Sequence, residues 1–125
     1  MPAEKIRACI NYDMISRNSP NDSLGRECSV VYTEGRDTLK QIYEANLENY
    51  KVDLKVKFRP SSGKWGGSDY VPFAHHGVPF LATFGGSHTE YHKPFDESWK
   101  CDISKMVRIL QLNFAGLWEL AKWLK

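Results

Sequence analysis

Hydrophobic and polar positions follow two different periods along the 125-residue chain, one typical of strands and one typical of helices. Segments 5–13, 28–35 and 51–58 alternate between apolar and polar positions or are rich in β-branched residues, which predicts β-strands. Segment 78–84, VPFLATF, is apolar on both faces, so we expect a central strand that helices cover on both sides.

Between and after these strands, apolar residues recur at helical spacing, which predicts three helices. The first begins near Asp37 or Thr38, either of which is a candidate N-cap, and a short second helix begins at Ser68 or Asp69. Asp102 is the candidate cap of a long third helix. The positions expected on the buried side of that helix are Ile103, Met106, Val107, Leu110, Phe114, Leu117, Leu120, Ala121 and Leu124.

The alternation of strands and helices predicts an α/β fold. We expect a mostly parallel or mixed sheet of about four strands, flanked by helices. The sequence has no internal repeat, linker or low-complexity tract, so residues 1–125 are expected to form a single α/β domain.

Composition excludes several classes of partner. The formal net charge is +2 without a basic block, which argues against nucleic acid as the main partner. No run of 18 apolar residues is present, so no membrane span is expected. The three cysteines are far apart and lack C-x-x-C spacing, which predicts structural or incidental thiols rather than disulfides or a zinc knuckle. The N-terminus lacks the apolar core of a signal peptide, and the compartment stays open.

Candidate chemistry gathers in the segment GGSHTEYHKPFDESW, residues 85–99, which follows the predicted central strand. Ligands of open α/β sheets bind at the carboxyl ends of the strands. Asp13 ends the first strand, so Asp13 and His92 can approach each other if the two strands are parallel. Carboxylate and imidazole are suitable zinc ligands, but Asp13 could instead cap a turn, and His92 could be an exposed loop histidine.

The segments INYDMISRN and GGSDYVPFAHHGVPFLATFGGSHTEYHKPFD together resemble the C-terminal half of the co-catalytic zinc aminopeptidases. These enzymes belong to peptidase clan MH, which also contains glutaminyl cyclases. The family pattern is an N-x-D-M-I-G-R strand end, then S-D-H-x-x-F, G-I-P, a Y-H-x-P-x-D loop and a long closing helix. The motifs occur in family order from about Ile6 to Lys125, and the resemblance implies a partial zinc-exopeptidase fold.

The resemblance also implies roles for individual residues. Asp13 matches a ligand of one zinc ion, and His92 matches the ligand of a second zinc ion. Tyr91 corresponds to a position near the tetrahedral intermediate in some relatives and is a candidate catalytic residue. Asp69 matches the acid of the S-D-H motif, although it is equally suited to cap the short helix.

Two further residues of the loop are candidates for contact with the metal ligands or the substrate. Asp96 could anchor the loop or support a metal ligand, and His88 belongs to a G-x-H-x-D/E-Y-H variant of the motif. His75 and His76 are expected to be surface or packing residues.

The sequence departs from the family pattern at three points. Ser16 replaces the usual glycine, and Tyr70 replaces the histidine of S-D-H. The largest departure concerns the remaining zinc ligands and the general base, which the family supplies upstream as an H-x-D strand end, a bridging Asp and a Glu-Glu pair. Only Glu4 is acidic before Asp13, so we expect weak or absent zinc binding by these residues alone.

In the complete family enzyme, two zinc ions activate a water molecule, and a glutamate accepts its proton. The resemblance therefore implies cleavage of N-terminal residues from peptides with a free N-terminus. The expected partners are such a peptide, the missing N-terminal half of the catalytic domain and a second copy paired through an exposed sheet edge. The alternative is a non-catalytic α/β module that keeps the fold and acts in binding or assembly.

Overall fold

The computed structural model describes residues 2–122 and contains four strands and three α-helices. The strands are β1 (Cys9–Asp13), β2 (Glu27–Thr33), β3 (Lys55–Ser61) and β4 (Phe80–Phe84). The helices are α1 (Asp37–Asn49), α2 (Val71–His75) and α3 (Ile103–Lys122), with short 3-10 helices at Ala3–Lys5 and Ser98–Lys100. Within the described residues, we find no helix with the length and apolar character needed to cross a membrane.

The four strands form one mixed sheet in the order β1-β4-β2-β3. Strand β1 is parallel to β4, β2 is parallel to β3, and β2 is antiparallel to β4. The α/β prediction with a mixed sheet of about four strands is confirmed. Strand β4 is central and almost completely buried, as its continuous apolar run predicts.

Helices cover both faces of the sheet. Helices α1 and α3 pack on the face that carries Val30 and Leu81, whereas α2 packs on the face that carries Phe80. Helix α3 approaches α1 closely at Gly116, where a Cβ atom would overlap the ring of Tyr43. The glycine therefore sets the distance between the two helices.

A buried polar group joins α1, α3 and the central strand beneath this contact. The hydroxyl of Tyr43 donates a hydrogen bond to Oδ1 of Asn113 at 2.6 Å, and the hydroxyl of Thr83 donates to the same oxygen at 3.0 Å. Since all three side chains are completely buried, these bonds offset part of the cost of removing the polar groups from water, while Nδ2 of Asn113 has no partner among the described residues.

The strand boundaries differ from the predictions most at β1 and β3. Strand β1 begins at Cys9 rather than residue 5, because Ala3–Lys5 form a 3-10 turn. The third strand was predicted over 51–58, whereas β3 begins at Lys55 and continues to Ser61. Pro60 is tolerated within it because β3 is an edge strand with one side free of backbone partners.

The caps of the first two helices also differ from the predictions. Arg36 is the N-cap residue of α1, and no side chain caps that helix. Asp37 instead accepts a hydrogen bond from the hydroxyl of Tyr32 at 3.0 Å. Tyr70 is the N-cap residue of α2, again without a side-chain bond, so neither Ser68 nor Asp69 caps it.

The N-terminal cap of α3 is confirmed. Oδ1 of Asp102 accepts the backbone N–H of Lys105 at 2.9 Å, and Oδ2 accepts the side-chain amide of Asn18 at 2.9 Å. Burial alone raises the pKa of Asp102, but the bonds from Asn18 and Lys105 outweigh it and lower that pKa. The cap therefore joins the start of α3 to the loop between β1 and β2.

The predicted buried side of α3 is wrong for most positions. The side chains of Ile103, Val107, Leu110, Phe114 and Leu117 are between 46% and 65% exposed, Ala121 is exposed, and Met106 is half-buried. Only Leu120 is buried as expected, and Leu124 lies outside the described residues. The buried positions are Lys105, Ile109, Leu112, Asn113, Ala115, Gly116 and Leu120. Ile109, Leu112 and Leu120 are buried on this side together with Lys105 and Asn113, whose polar groups have partners in the loops and in β4.

Candidate metal centre

The carboxyl ends of β1 and β4 lie side by side. The two strands are parallel, and Asp13 is the register partner of Phe84. The backbone N–H of Gly85 donates to the carbonyl of Asp13 at 3.2 Å, so the loop that carries His92 begins beside Asp13. A Cβ atom at Gly85 would overlap the backbone of Met14 and Ile15, which explains the glycine at this crossing. The parallel pairing on which the metal-site prediction depends is therefore present.

Asn11 holds the segment before α2 over the face of β1 to which the Asp13 side chain also points. Its buried side-chain amide donates to the hydroxyl of Ser68 at 3.0 Å. Asn11 and Asp13 are two residues apart on a strand and therefore point to the same face. Asp69 is exposed. The pKa of the Cys9 thiol is raised first by the burial of that thiol and second by the negative charge of Asp69. Sequence analysis did not single out Asn11, although the family strand-end pattern contains an asparagine at this position.

Arg17 bridges the β1–β2 loop to the loop after β4. One terminal nitrogen donates to Asp96 at 2.5 Å, and the other donates to Glu90 at 2.8 Å. The side chain of Arg17 is only 11% exposed, so both ion pairs lie at least partly out of solvent. Arg17 was missed because its partners are more than 70 positions away in the sequence.

His88 and Asp96 form a second contact within the same loop. Nε2 of His88 is 2.9 Å from Oδ2 of Asp96, and the side chain of His88 is only 6% exposed. Nδ1 of His88 is buried without a hydrogen-bond partner among the described residues. Asp96 therefore has the contacts of a loop anchor, while a role for His88 or Asp96 toward substrate or metal ligands stays a prediction.

Glu90 completes the ionic group and was also missed by sequence analysis. It accepts bonds from Arg17, Thr89 and Lys100. Its pKa is lowered to about 2, first by the hydrogen bond from its own backbone N–H and then by bonds from Thr89 and Lys100 and the charge of Arg17. Glu90 is therefore ionised at any pH near neutrality.

A buried lysine lies beneath these loops. Nζ of Lys105 donates to the carbonyl of Gly85 at 2.6 Å, to Oδ2 of Asp22 at 2.9 Å and to the carbonyl of Arg17 at 3.2 Å. Burial raises the pKa of Asp22, but the bond from Lys105 and backbone bonds from Arg26 and Glu27 outweigh it and lower that pKa. Lys105 thus ties α3 to both loops that leave the carboxyl ends of β1 and β4.

Cys28, whose thiol is affected by the charges of Lys105 and Asp22, is buried. Cys28 is 5% exposed, and burial raises the pKa of its thiol to about 12. Cys9, Cys28 and Cys101 are all free thiols.

Tyr91 and His92 differ from the anchoring residues because both are exposed. Their rings stack with centroids 3.8 Å apart, and His92 has a positive φ of 56°. A non-glycine residue in this left-handed region is uncommon, and such conformations concentrate at functional sites.

The donor set of the described residues does not fit a zinc ion. Catalytic zinc takes three protein ligands and a water molecule. Within residues 2–122, no three histidine, cysteine, aspartate or glutamate side chains are grouped closely enough to hold a metal ion. Strand β1 is an edge strand, so Asp13 lies at the open side of the sheet.

Comparison with known proteins identifies the family. The family model described as Peptidase family M28 matches residues 1–116. The chain therefore belongs to peptidase family M28. M28 peptidases are zinc-dependent enzymes, and the zinc-aminopeptidase resemblance of the sequence is confirmed.

A solved structure supports the architecture. The chain is similar to the crystal structure of the Legionella pneumophila LapA aminopeptidase, with a TM-score of 0.71 and 21% sequence identity. The match covers 92% of this chain and 31% of the LapA chain. The likeness shows the aminopeptidase fold, and the M28 chain spans about a third of LapA. A search of curated proteins found no significant match.

Proposed function

We propose that this M28 chain is the C-terminal portion of a zinc-dependent aminopeptidase-type hydrolase. In the complete site, Asp13 would ligate one zinc ion and His92 would ligate a second. The observation that carries this proposal is the parallel pairing of β1 and β4, which puts Asp13 and the root of the His92 loop at one edge of the sheet. The substrate class would be a peptide with a free N-terminus.

The remaining ligands and the general base would come from chain beyond these 125 residues or from another polypeptide. The edge position of β1 supports this, because strands added past β1 would place new carboxyl ends next to Asp13. A groove of about 600 Å³ lies beside β1, with Ile10, Tyr12, Leu39 and Leu117 among its lining residues. We expect the rest of the domain to cover this groove, with residues 1–125 as one α/β unit. In its absence, the free edge of β1 could pair with a second copy.

The other residues would hold the proposed ligands in place. Arg17 and Asp96 fix the loop around His88, so that His92 projects from a supported segment. Tyr91, stacked on His92, would border the bound substrate. Asp69 would lie close to the site through the Asn11–Ser68 bond beside it.

The proposal is tested by zinc titration and an aminoacyl-anilide assay on two proteins, the 125-residue chain and a version extended upstream. We expect weak zinc binding and no hydrolysis by the shorter protein. The extended protein should hydrolyse the anilide and lose that activity with Asp13→Asn or His92→Asn, but not with His75→Asn. Equal activity of the two proteins would contradict the shared-site proposal.

A second candidate is a non-catalytic binding or assembly module that retains the M28 fold. It is favoured by one observation: among residues 2–122, no three histidine, cysteine, aspartate or glutamate side chains are grouped closely enough to hold a metal ion. The two candidates differ in the upstream sequence. An H-x-D strand end and a Glu-Glu pair there would support the enzyme, whereas their absence would support the module.

A further inference from the structure

A polar pocket of about 280 Å³ lies where β4 ends and the loop toward α3 begins. We name it the basic pocket and define it by Ser19, Ser29, Lys57, Arg59, Gly86 and Ser87. Pockets that enclose a drug-sized ligand have volumes of about 300–1,000 Å³. The basic pocket therefore has room for one end of a peptide rather than for a large ligand.

The sheet places this pocket in line with Asp13. Asp13 is the register partner of Phe84. Phe84 is in turn the partner of Ser29, and Ser29 is the partner of Lys57. Register partners point to the same face of a sheet, so all four side chains project from the face on which α2 packs. Adjacent strands are about 4.8 Å apart, so the backbone of Lys57 lies three strands and about 14 Å away from that of Asp13.

The charges of the basic pocket favour an anion. Lys57 and Arg59 are two positions apart on β3 and point to the same face. Among the described residues that line the pocket, only Glu27 is acidic. Its carboxylate lies 3.4 Å from Nζ of Lys57, and an ion pair as exposed as this one is weak. Arg59 has no ion-pair partner within residues 2–122, so its guanidinium is available to a ligand.

Hydroxyl groups complete the pocket beside these cations. Ser29 and Ser87 each contribute one, and the hydroxyl of Ser19 lies against Gly86, where a Cβ atom would overlap it. The glycine therefore allows the β1–β2 loop to close this side of the pocket. Hydroxyl donors next to a guanidinium and an ammonium group bind a carboxylate through hydrogen bonds that the charges strengthen.

We propose that the basic pocket binds a carboxylate of a peptide that extends across the sheet from Asp13. This inference rests on the proposed function, in which the free N-terminus of the peptide lies at the zinc ligands. An extended chain spans about 3.3–3.6 Å per residue, so about four residues connect Asp13 to Lys57. The preferred substrate is then a short peptide with a carboxylate at its fourth residue. Asp13 and the two cations provide opposite charges at the two ends of this path, which matches the charges of a free tetrapeptide.

Peptide binding to the 125-residue chain without zinc tests the basic pocket separately from catalysis. The probes are tetra-alanine with a free C-terminus, its C-terminal amide, and the amide in which glutamate replaces the fourth alanine. NMR follows the backbone amide signals of Ser29, Gly86 and Ser87 in each titration. We expect the free acid to shift these signals and to bind about fivefold more tightly than the tetra-alanine amide. Tighter binding of the glutamate-containing amide alone would support the pocket with a side-chain carboxylate as its ligand.

Three variants locate the binding of the carboxylate. Arg59→Met removes the cation that has no partner, and the preference for the acid over the amide should fall below about twofold. Lys57→Met should reduce the same preference. Lys55→Met is the matched control and should keep the full preference, because Lys55 lies on the same strand and face but outside the pocket. Circular dichroism checks that each variant is folded.

Three results would overturn the inference. The first is equal binding of the acid and of both amides. The second is an equal loss of preference in the Arg59→Met and Lys55→Met variants. The third is inorganic phosphate that binds as tightly as the free acid, which would assign the pocket to anions in general. A protein extended upstream that fails to hydrolyse peptides would contradict the proposed zinc site, whereas the basic pocket is judged by the titrations alone.

Discussion

The loop between β4 and α3 carries two sets of polar side chains in different surroundings. We call His88, Glu90 and Asp96 the anchored set, because they contact one another or Arg17. Tyr91 and His92 form the exposed pair, which stacks on itself and faces solvent. The residue types alone do not separate the two sets, because each contains a histidine. The difference shows that most ligand-type residues of this loop stabilise its conformation, whereas His92 is exposed.

The largest expected effect comes from removing the support under both loops. Lys105→Met leaves Asp22 buried without its cation and two carbonyls without their donor. Loss of one partner of a buried ion pair costs about 3–5 kcal/mol, so we expect a loss of that size in the free energy of unfolding. Urea denaturation measures it.

Lys122→Met on the same helix is the matched control for this lysine. Lys122 is 53% exposed and pairs with Glu119 three positions away, so its loss should cost less than about 1 kcal/mol. Equal effects of the two substitutions would contradict the supporting role of Lys105.

A smaller effect is expected when the anchored set loses its arginine. Arg17→Met removes charge-assisted bonds to Glu90 and Asp96, whose side chains are 20% and 34% exposed. We expect a loss of about 1–2 kcal/mol in the free energy of unfolding, together with faster amide exchange in residues 86–100. Arg7→Met, at an exposed arginine before β1, should change neither measurement. Exchange that stays slow in the Arg17 variant would show that the loop is held by other contacts.

We expect the anchored set to lose stability in acid and to be unaffected by pH changes near neutrality. The folded protein lowers the pKa of Glu90 from 4.5 to about 2, and it lowers the pKa values of Asp22 and Asp102. A lowered folded-state pKa gives stability that is present above the unfolded-state value and is lost as pH falls through the folded-state value. The urea midpoint should therefore fall as pH decreases from about 4.5 to about 2. Glu90→Gln should make this decline shallower, and an unchanged profile would contradict its ionic role.

The smallest effect on stability is expected at the exposed pair. His92→Asn keeps a residue that tolerates the left-handed backbone, so the free energy of unfolding should change by less than about 0.5 kcal/mol. The same change at exposed His75 is the control and should be equally silent in denaturation. The two variants should differ only in the zinc affinity of the protein extended upstream. A large loss of stability in the His92 variant would place it with the anchored set.

The architecture was largely predictable because strand and helix periods are local properties. The apolar run of 78–84 predicted a central strand, and β4 is central. The strand boundaries and two helix caps were less predictable, because the edge position of β3 and the Tyr32–Asp37 bond depend on which segments become neighbours.

The face of α3 shows where periodicity fails. A hydrophobic pattern identifies which positions are apolar, but it does not state what covers them. The face that packs on the sheet contains Lys105, Asn113 and Gly116, because these residues meet carbonyls, hydroxyls and the Tyr43 ring at close range. The predicted apolar face was left outward.

The candidate site was predictable only from residue types and from the order of the family motifs along the chain. Those signals gave Asp13 and the His92 loop, while Arg17, Glu90, Asn11 and Lys105 were missed. Each of them has a partner that is between 57 and 88 positions away, and no local pattern encodes a hydrogen bond over such a separation.

The alkylation rate of Cys28 reports how often the core of the protein opens. The thiol is shielded and holds its proton firmly, so an alkylating reagent added at neutral pH can react only during the moments when the surrounding chain parts. The labelling rate of this sulfur would thus measure the frequency of opening around Cys28 in the native protein, without any introduced probe.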